Sequence, residues 1–321
     1  MRSINSSNAV NSLPDSPIIC LMGATATGKT ELAVEIAKRF PVELISVDSA
    51  LIYRGMDIGT AKPDAELLAV APHFLIDIIE PMQSYSAWDF VNDAKKAIGE
   101  ISQRGNIPLL VGGTMMYYHV LENGLNQLPE ANEAIRAKLD AEANSIGWAA
   151  MHEKLAQIDP QTASRVKPGD TQRIQRALEV FEISGQTLSA LQADKPEGYQ
   201  GDIHKIILQA EDRSLLHRRI EKRFKTMLEQ GFIEEVVGLR NRGDLNLSMP
   251  SMRCVGYRQV WQYLDGDFDR MQMSEKAIAA TRQLAKRQIT WLRKQPQNNT
   301  FDCLNYQKDA IFSQLNRSFP D

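Results

Sequence analysis

The residues of this chain best suited to chemistry form a short glycine-containing segment near its amino end. Residues 23–30 read GATATGKT and match the pattern G-x-x-x-x-G-K-[ST]. In such a segment the glycines let backbone N–H groups converge on phosphate oxygens, the lysine adds positive charge, and the last hydroxyl can bind Mg²⁺. The predicted diphosphate-binding residues are Gly23, Ala24, Thr25, Ala26, Thr27, Gly28, Lys29 and Thr30, with Thr30 also the Mg²⁺ ligand. The pattern indicates a diphosphate or a triphosphate, and does not by itself indicate ATP.

An acidic residue follows the next apolar run of the chain. Residues 44–47 end at Asp48, and the carboxyl ends of parallel strands are where α/β proteins place their chemistry. Asp48 could therefore be a carboxylate on the metal side of the site or a general base. A turn or helix-capping role explains the same residue equally well. Residues 107–111 instead lead into Gly112, Gly113 and Thr114, with no acid.

Strand and helix patterns alternate around these residues. Predicted strands cover residues 18–22, 43–47, 74–78, 107–111 and 205–209, and predicted helices cover residues 28–39 and 87–104. Such alternation is typical of a parallel sheet with helices on its faces, so we expect an α/β core.

The pattern becomes purely helical between Gly124 and Gly201. Within this range helical periodicity covers residues 133–142, 148–158 and 171–184. After the last predicted strand the chain is again helical, with an apolar stripe of Leu216, Ile220, Phe224 and Met227 and a long helix at 274–294. We therefore predict a flexible tail at 1–16, a core at 17–127 and 201–294, a helical insertion at 128–200, and a loose polar tail at 295–321.

Composition excludes several classes of protein. With 43% hydrophobic and 24% charged residues, the chain is neither disordered nor fibrous. No apolar run reaches the roughly 20 residues of a membrane span. The first 17 residues contain no apolar stretch of 7–15 residues, so we expect that they are not a secretory signal. Cys20, Cys254 and Cys303 are too few and too scattered for a disulfide framework or a zinc site. We expect a cytoplasmic protein and, because no apolar surface stripe is left over, a monomer.

Positive charge is concentrated in the last third of the chain. Residues 201–321 carry 20 Lys and Arg against 15 Asp and Glu, although the whole chain has a net charge of −3. Arg282, Lys286 and Arg293 fall within about 40° of each other on a helix of 3.6 residues per turn. Such a stripe can follow nucleic-acid phosphates, and it can equally be a solvated surface.

Seven segments together resemble the bacterial tRNA dimethylallyltransferase family (isopentenyl-diphosphate:tRNA transferases). They are GATATGKT (23–30), SVDSALIYRGMDIGTAKP (46–63), YSAWDF (85–90), PLLVGGTMMYY (108–118), QRIQRALEVFEISGQTL (172–188), SMRCVGYRQVW (251–261) and ATRQLAKRQITWLR (280–293). They follow the order of the family and span residues 18–294. The resemblance implies a P-loop NTPase-like parallel-sheet core whose helical insertion grips the anticodon stem-loop of tRNA.

The resemblance also implies a reaction. Members of this family transfer a dimethylallyl group from dimethylallyl diphosphate to N6 of adenine 37, in tRNAs that read codons beginning with U. Residues 23–30 would then hold the diphosphate of the prenyl donor, with Mg²⁺. By the same resemblance Asp48 is the general base, Thr114 lines the reaction channel and Arg219 contacts the diphosphate. Arg223, one turn further on, is a less certain match.

The family segments that contact tRNA map onto several parts of this chain. The implied RNA-binding residues are Asp48, Ser49, Ala50, Leu51, Thr114, Arg136, Gln172, Arg173, Ile174, Gln175, Arg176, Arg253, Cys254, Val255, Gly256, Tyr257, Arg258, Lys286, Arg287, Gln288, Ile289, Thr290, Trp291, Leu292 and Arg293. The chain departs from the family at Ala24 and Thr27, where proline and serine are usual, and at Leu51, where glutamine is common.

Two other functions remain open on the residues. A small-molecule kinase would use residues 23–30, which we call the phosphate-binding segment after their predicted role, to bind ATP. It would turn over nucleotide without RNA. An RNA-binding module without catalytic activity would use the anion site only for structure. A carboxylate beside a phosphate site argues against the pure binding module, which has no need of Asp48.

Overall fold

The structure, a computed structural model, describes residues 16–194, 196–296, 299–304 and 308–319. The flexible tail predicted for residues 1–16 lies outside the described residues except for Ser16. The chain forms two compact units, one made of Met1–Val120 with Gln200–Asp321 and the other of Leu121–Tyr199. The second unit corresponds to the predicted insertion, which therefore begins before residue 128.

The first unit is built on a parallel sheet, as the alternating pattern predicts. Its strands are β1 (Ile18–Gly23), β2 (Val42–Val47), β3 (His73–Phe74), β4 (Ile107–Gly112), β5 (Ile203–Gln209) and β6 (Thr300–Asp302). Their order across the sheet is β3-β2-β4-β1-β5-β6, and every described pairing is parallel. The ends of β1, β2 and β4 therefore meet at one edge, which brings together the loops that follow them.

Helices make up most of the rest of this unit. They are α1 (Lys29–Ala37), α2 (Ala65–Val70), α3 (Ala87–Gln103), α4 (Met115–Asn123, which runs into the second unit), α10 (Arg213–Glu229), α11 (Phe232–Asn241), α12 (Tyr257–Leu264), α13 (Arg270–Leu292) and α14 (Lys308–Ser318). All four residues of the predicted stripe on α10 are buried. Within the described part of the chain, none of the helices combines the length and apolar character needed to cross a bilayer.

The second unit is helical, as expected. It contains α5 (Glu133–Ile146), α6 (Trp148–Ile158), α7 (Pro160–Ala163), α8 (Thr171–Ser184) and α9 (Leu188–Leu191). Leu139, Met151, Leu155 and Ile174 form its small core. The starts of α5 and α8 are capped by the side chains of Asn132 and Asp170, which accept backbone N–H groups of the first turn.

The strand predicted at residues 74–78 is much shorter in the structure. Only His73 and Phe74 pair with β2. Leu75 and Asp77 have φ angles of 64° and 54°, so the backbone leaves the extended conformation immediately after Phe74.

The carboxyl-terminal segment differs from the loose tail expected over residues 295–321. Its described residues include β6, which pairs with β5, and α14, which buries Ile311, Phe312 and Leu315 in the main core. The strand has only three residues and the surrounding sequence is polar, so local patterning gave little sign of it. The apolar positions 311, 312 and 315 are spaced as on one face of a helix, which was the available signal.

Candidate active site at the strand ends

The phosphate-binding segment has the curled backbone that its sequence predicts. It joins the end of β1 to the start of α1, with φ angles of 65° at Ala26 and 83° at Gly28. A Cβ atom at Gly23 would lie 2.7 Å from Oγ1 of Thr27 and 2.9 Å from the carbonyl of Leu208, so glycine is required there. The Thr27 hydroxyl donates to the Ala24 carbonyl at 2.8 Å and fixes the curl.

Two cations converge on this segment. The Lys29 ammonium donates to the Ala24 carbonyl at 2.7 Å, and its burial lowers its pKa to about 8 although the charge of Asp48 opposes this. The Arg223 guanidinium donates to the Thr25 hydroxyl at 2.5 Å. Together with the amino end of α1, these groups make the segment a site for an anion.

Arg219 and Arg223 occupy different places. Arg223 contacts the phosphate-binding segment directly, whereas Arg219 donates to the Cys303 carbonyl at 3.5 Å. Both line the same cavity. The structure therefore brings the less certain of the two predicted arginines closest to the segment.

Asp48 lies at the end of β2 and faces the same cavity. One carboxylate oxygen accepts the backbone N–H of Ala50 at 2.9 Å. Burial raises the pKa of Asp48, and the Ala50 hydrogen bond and the charges of Lys29 and Arg223 oppose this. A carboxylate with a raised pKa is a stronger proton acceptor, which suits a general base.

Thr114 ties the ends of β2 and β4 together. Its hydroxyl accepts the backbone N–H of Ser49 at 3.0 Å, and its own backbone N–H donates to the Val47 carbonyl at 3.1 Å. A Cβ atom on Gly112 would overlap that same carbonyl, so only glycine allows the strands to approach this closely. Thr114 is thereby held next to Asp48.

One cavity of about 1180 Å³ joins all these groups. Its polar end contains the phosphate-binding segment, Asp48 and Thr114. Its apolar wall is formed by Phe224, Met227, Phe232 and Tyr257. The cavity can therefore hold a diphosphate together with a hydrocarbon group.

A half-buried carboxylate that local sequence patterns did not reveal holds part of this apolar wall. Glu235, on α11, accepts the backbone N–H groups of Asp57, Ile58 and Gly59 at 2.9, 2.7 and 3.1 Å. It also accepts the Tyr257 hydroxyl at 2.5 Å. We call these contacts the Glu235 clamp. The contact partners are up to 178 residues apart, so no local signal in the sequence could indicate them.

The RNA-binding residues predicted in the first unit fall into three groups. Those that line the cavity are Asp48, Ser49, Ala50, Leu51, Thr114, Arg253, Cys254, Val255, Gly256, Tyr257, Arg287, Gln288 and Trp291. Those exposed outside it are Arg258, Lys286, Thr290 and Arg293, and those with side chains in the core are Ile289 and Leu292. Arg282, from the predicted basic stripe, pairs with Glu221 at 3.1 Å.

Most of the RNA-binding residues predicted in the second unit already bind acidic side chains of that unit. Arg136 and Arg176 both bind the fully buried carboxylate of Glu179, at 2.9 and 2.7 Å. Burial opposes ionisation of Glu179, but these hydrogen bonds outweigh it and its pKa is lowered. Of the remaining predicted residues, Gln175 donates to Asp140, Arg173 pairs with Asp170, Ile174 is buried and Gln172 is exposed.

The donor atoms present fit a hydrated magnesium ion. Among the described residues no three His, Cys, Asp or Glu side chains come together as a metal cage. Mg²⁺ usually keeps several waters and binds through one or two protein groups plus substrate phosphates. Ser46 lies in β2 and lines the same cavity as Thr30 and Asp48. Its hydroxyl is buried and has no hydrogen-bond partner among the residues that the structure describes. Such an unpaired hydroxyl can bind a metal-bound water.

The parallel sheet, the phosphate-binding segment and the carboxylate at a nearby strand end define a P-loop-like α/β protein. The model of the IPP transferase family matches residues 51–295, and that of the isopentenyl transferase family matches residues 17–78. The chain therefore belongs to the IPP transferase family, and with it to the group-transferring enzymes.

Individual relatives agree with this membership. The chain is 58% identical to a tRNA dimethylallyltransferase of Cupriavidus taiwanensis, covering 90% of this chain and 91% of the relative. It is 57% identical to the protein of the same name from Alkalilimnicola ehrlichii, with the same coverage. The crystal structure of a Bacillus halodurans tRNA isopentenylpyrophosphate transferase matches with a TM-score of 0.68, 36% identity and 95% coverage of both chains.

Proposed function

We propose that this protein transfers the dimethylallyl group of dimethylallyl diphosphate to N6 of adenine 37 in tRNAs reading codons that begin with U. Diphosphate is the second product. The observation that carries the proposal is the cavity shared by an anion-binding segment, an apolar wall and a carboxylate with a raised pKa. The names of the relatives support tRNA as the acceptor.

The diphosphate must leave the allylic carbon with its bonding electrons. In our proposal Lys29, the N–H groups of the phosphate-binding segment, Arg219 and Arg223 bind the diphosphate and stabilise the charge that develops on it. Thr30 and a water held by Ser46 would hold Mg²⁺, which when bound neutralises further negative charge. The apolar wall holds the dimethylallyl group and excludes water from the reacting carbon.

The adenine amine forms the new bond. Its N6 lone pair attacks the allylic carbon as the carbon–oxygen bond to diphosphate breaks. Asp48 accepts the N6 proton, since an exocyclic amine on adenine is a poor nucleophile without a base. Thr114 keeps the loop that carries Asp48 in place.

The target base must leave the anticodon stack to reach this carboxylate. We propose that the anticodon stem-loop binds at the mouth of the cavity. Arg253 and Arg287 would bind RNA phosphates there, and the exposed Trp291 would stack on a base. Lys286 and Arg293, and Gln172 and Arg173 of the second unit, are the further RNA contacts. We propose a monomeric enzyme that acts in the cytoplasm, where its tRNA substrate is found.

A transfer assay tests the proposal. Protein, Mg²⁺ and radiolabelled dimethylallyl diphosphate are incubated with an unmodified anticodon stem-loop carrying adenine at position 37. We expect label in the RNA with the wild-type protein. With Asp48→Asn the rate should fall by at least about 100-fold, since a general base contributes 10²–10⁴-fold.

Two controls sharpen this assay. Asp267→Asn changes an exposed aspartate outside the cavity and should transfer label at the wild-type rate. A stem-loop with guanine at position 37 should receive no label at that base. Absence of label with adenine, combined with ATP consumption when small nucleosides are supplied, would replace the proposal with a kinase.

A further inference from the structure

Gln288 connects three parts of the active site. It lies in α13, and its carboxamide oxygen accepts the backbone N–H of Thr25 at 2.9 Å. Its carboxamide nitrogen donates to the Gly113 carbonyl at 2.8 Å. One side chain thus links a helix that carries predicted RNA contacts to the phosphate-binding segment and to the turn after β4.

The surroundings of this carboxamide leave it little freedom. A Cβ atom on Gly113 would lie 2.5 Å from the Gln288 nitrogen, so only glycine leaves room for the amide there. Thr25 is held from two directions, through its N–H by Gln288 and through its hydroxyl by Arg223. Thr114, directly after Gly113, holds the loop next to Asp48.

The chemistry of the contact is specific to a carboxamide. One end must accept a hydrogen bond and the other must donate one, which a glutamate or a methionine of similar length cannot do. Because both ends already bind protein backbone, Gln288 has to release one of these bonds before it could contact RNA. This separates it from Lys286 and Arg293, whose side chains on the same helix are exposed.

We propose that Gln288 is a positioning residue that fixes the phosphate-binding segment relative to the Gly113–Thr114 turn. It thereby sets the separation between the leaving diphosphate and the base that accepts the N6 proton. This inference rests on the proposed function, because that separation matters only if both groups act on one substrate pair. Loss of such positioning lowers the rate of the chemical step more than it lowers RNA affinity.

The test compares Gln288→Met with Gln283→Met. Methionine has a similar length but makes neither hydrogen bond, and Gln283 is exposed on the same helix and does not line the cavity. For each variant we would measure the thermal unfolding midpoint, stem-loop affinity, affinity for inorganic diphosphate with Mg²⁺, and the single-turnover rate at saturating substrates.

For Gln288→Met we expect a saturated rate lower by about 10- to 100-fold, since a displacement of about 1 Å can have this effect. Diphosphate affinity should fall several-fold, because the segment that binds it is no longer held. Stem-loop affinity should stay within about twofold of wild type. Gln283→Met should match wild type in all four measurements.

Two results would overturn the inference. A tenfold weaker stem-loop affinity with an unchanged saturated rate would make Gln288 an RNA contact. A lower unfolding midpoint with an unchanged rate per folded molecule would make its role purely structural. The two proposals can also fail separately. If the wild-type protein binds diphosphate but transfers no label, the proposed function is wrong. In that case an unchanged diphosphate affinity in Gln288→Met would also reject the positioning role.

Discussion

Asp48 and Lys29 have pKa values that burial displaces toward neutrality from opposite sides. The pKa of Asp48 is raised, and that of Lys29 is lowered to about 8. The proposed reaction needs Asp48 ionised and Lys29 protonated. The active form therefore exists only between the two pKa values, and both limits lie closer to neutral pH than for exposed side chains.

This pairing predicts a bell-shaped pH dependence of kcat/KM for dimethylallyl diphosphate. The value should rise with pH as Asp48 loses its proton, and fall above pH about 8 as Lys29 loses its proton. Initial rates from pH 5 to 10 measure both limbs. In Lys29→Arg the maximum should be lower but the alkaline decrease should disappear, because arginine stays protonated. The substrates ionise identically in both assays, so an unchanged alkaline limb would contradict the role of Lys29.

Ser46 gives a second prediction about a single residue. Its buried hydroxyl has no hydrogen-bond partner within the described part of the chain, so Ser46→Ala should raise the free energy of unfolding of the ligand-free protein by about 1 kcal/mol. The same variant should bind diphosphate more weakly in Mg²⁺. Urea unfolding and calorimetry measure the two effects.

Ser102 provides the matched control. Its hydroxyl on α3 likewise lacks a hydrogen-bond partner among the described residues, and Ser102 does not line the cavity. Ser102→Ala should stabilise the protein in the same way and leave diphosphate affinity unchanged. Equal diphosphate affinity in both variants would show that Ser46 does not contribute to the metal site.

Among the secondary-structure elements, the Glu235 clamp attaches a loop to α11. Glu235→Gln removes the charge and one acceptor, so we expect a loss of about 2 kcal/mol in unfolding free energy, typical of hydrogen bonds to a charged group. The KM for dimethylallyl diphosphate should rise, because Glu235 holds Gly59, which lines the cavity, and Tyr257, which forms part of its apolar wall.

Glu234→Gln is the control, since Glu234 is the exposed neighbour on the same helix. It should change unfolding free energy by less than about 0.5 kcal/mol. Equal effects of the two substitutions in chemical denaturation would show that the clamp contributes nothing beyond surface charge.

Local patterns predicted the elements with strong periodicity. The strands β1, β2, β4 and β5 and the helices α3 and α8 lie within a few residues of their predicted positions. Prediction was wrong for the length of β3, where positive φ angles at Leu75 and Asp77 end the strand. The curled backbone of residues 23–30 could be predicted because consecutive residues define it, whereas the pattern alone left Asp48 open between a site carboxylate and a capping residue. Glu235 and Gln288 act through contacts between distant parts of the chain, and the hydrophobic periodicity of the sequence gives no indication of such contacts.

At the scale of the whole molecule, residues near the carboxyl end belong to the main core. Ile311 is fully buried in the same cluster as β1 and α1. Ile311→Ala should lower the free energy of unfolding by about 3 kcal/mol, the usual cost of emptying a buried isoleucine site. Ser313→Ala, at an exposed position of the same helix, should have little effect. If Ile311→Ala were as stable as the wild type in urea, the result would instead support the loose tail predicted from the sequence.

The contact between Arg219 and the Cys303 carbonyl has a consequence for how the protein is made. Residue 303 is synthesised long after the phosphate-binding segment, roughly 15 to 60 s later at typical bacterial and eukaryotic elongation rates. Throughout that interval the nascent chain lacks β6 and part of the cavity lining. The cavity lining can therefore be completed only after residue 303 has been synthesised, and until then β5 lacks the strand that pairs with its outer edge.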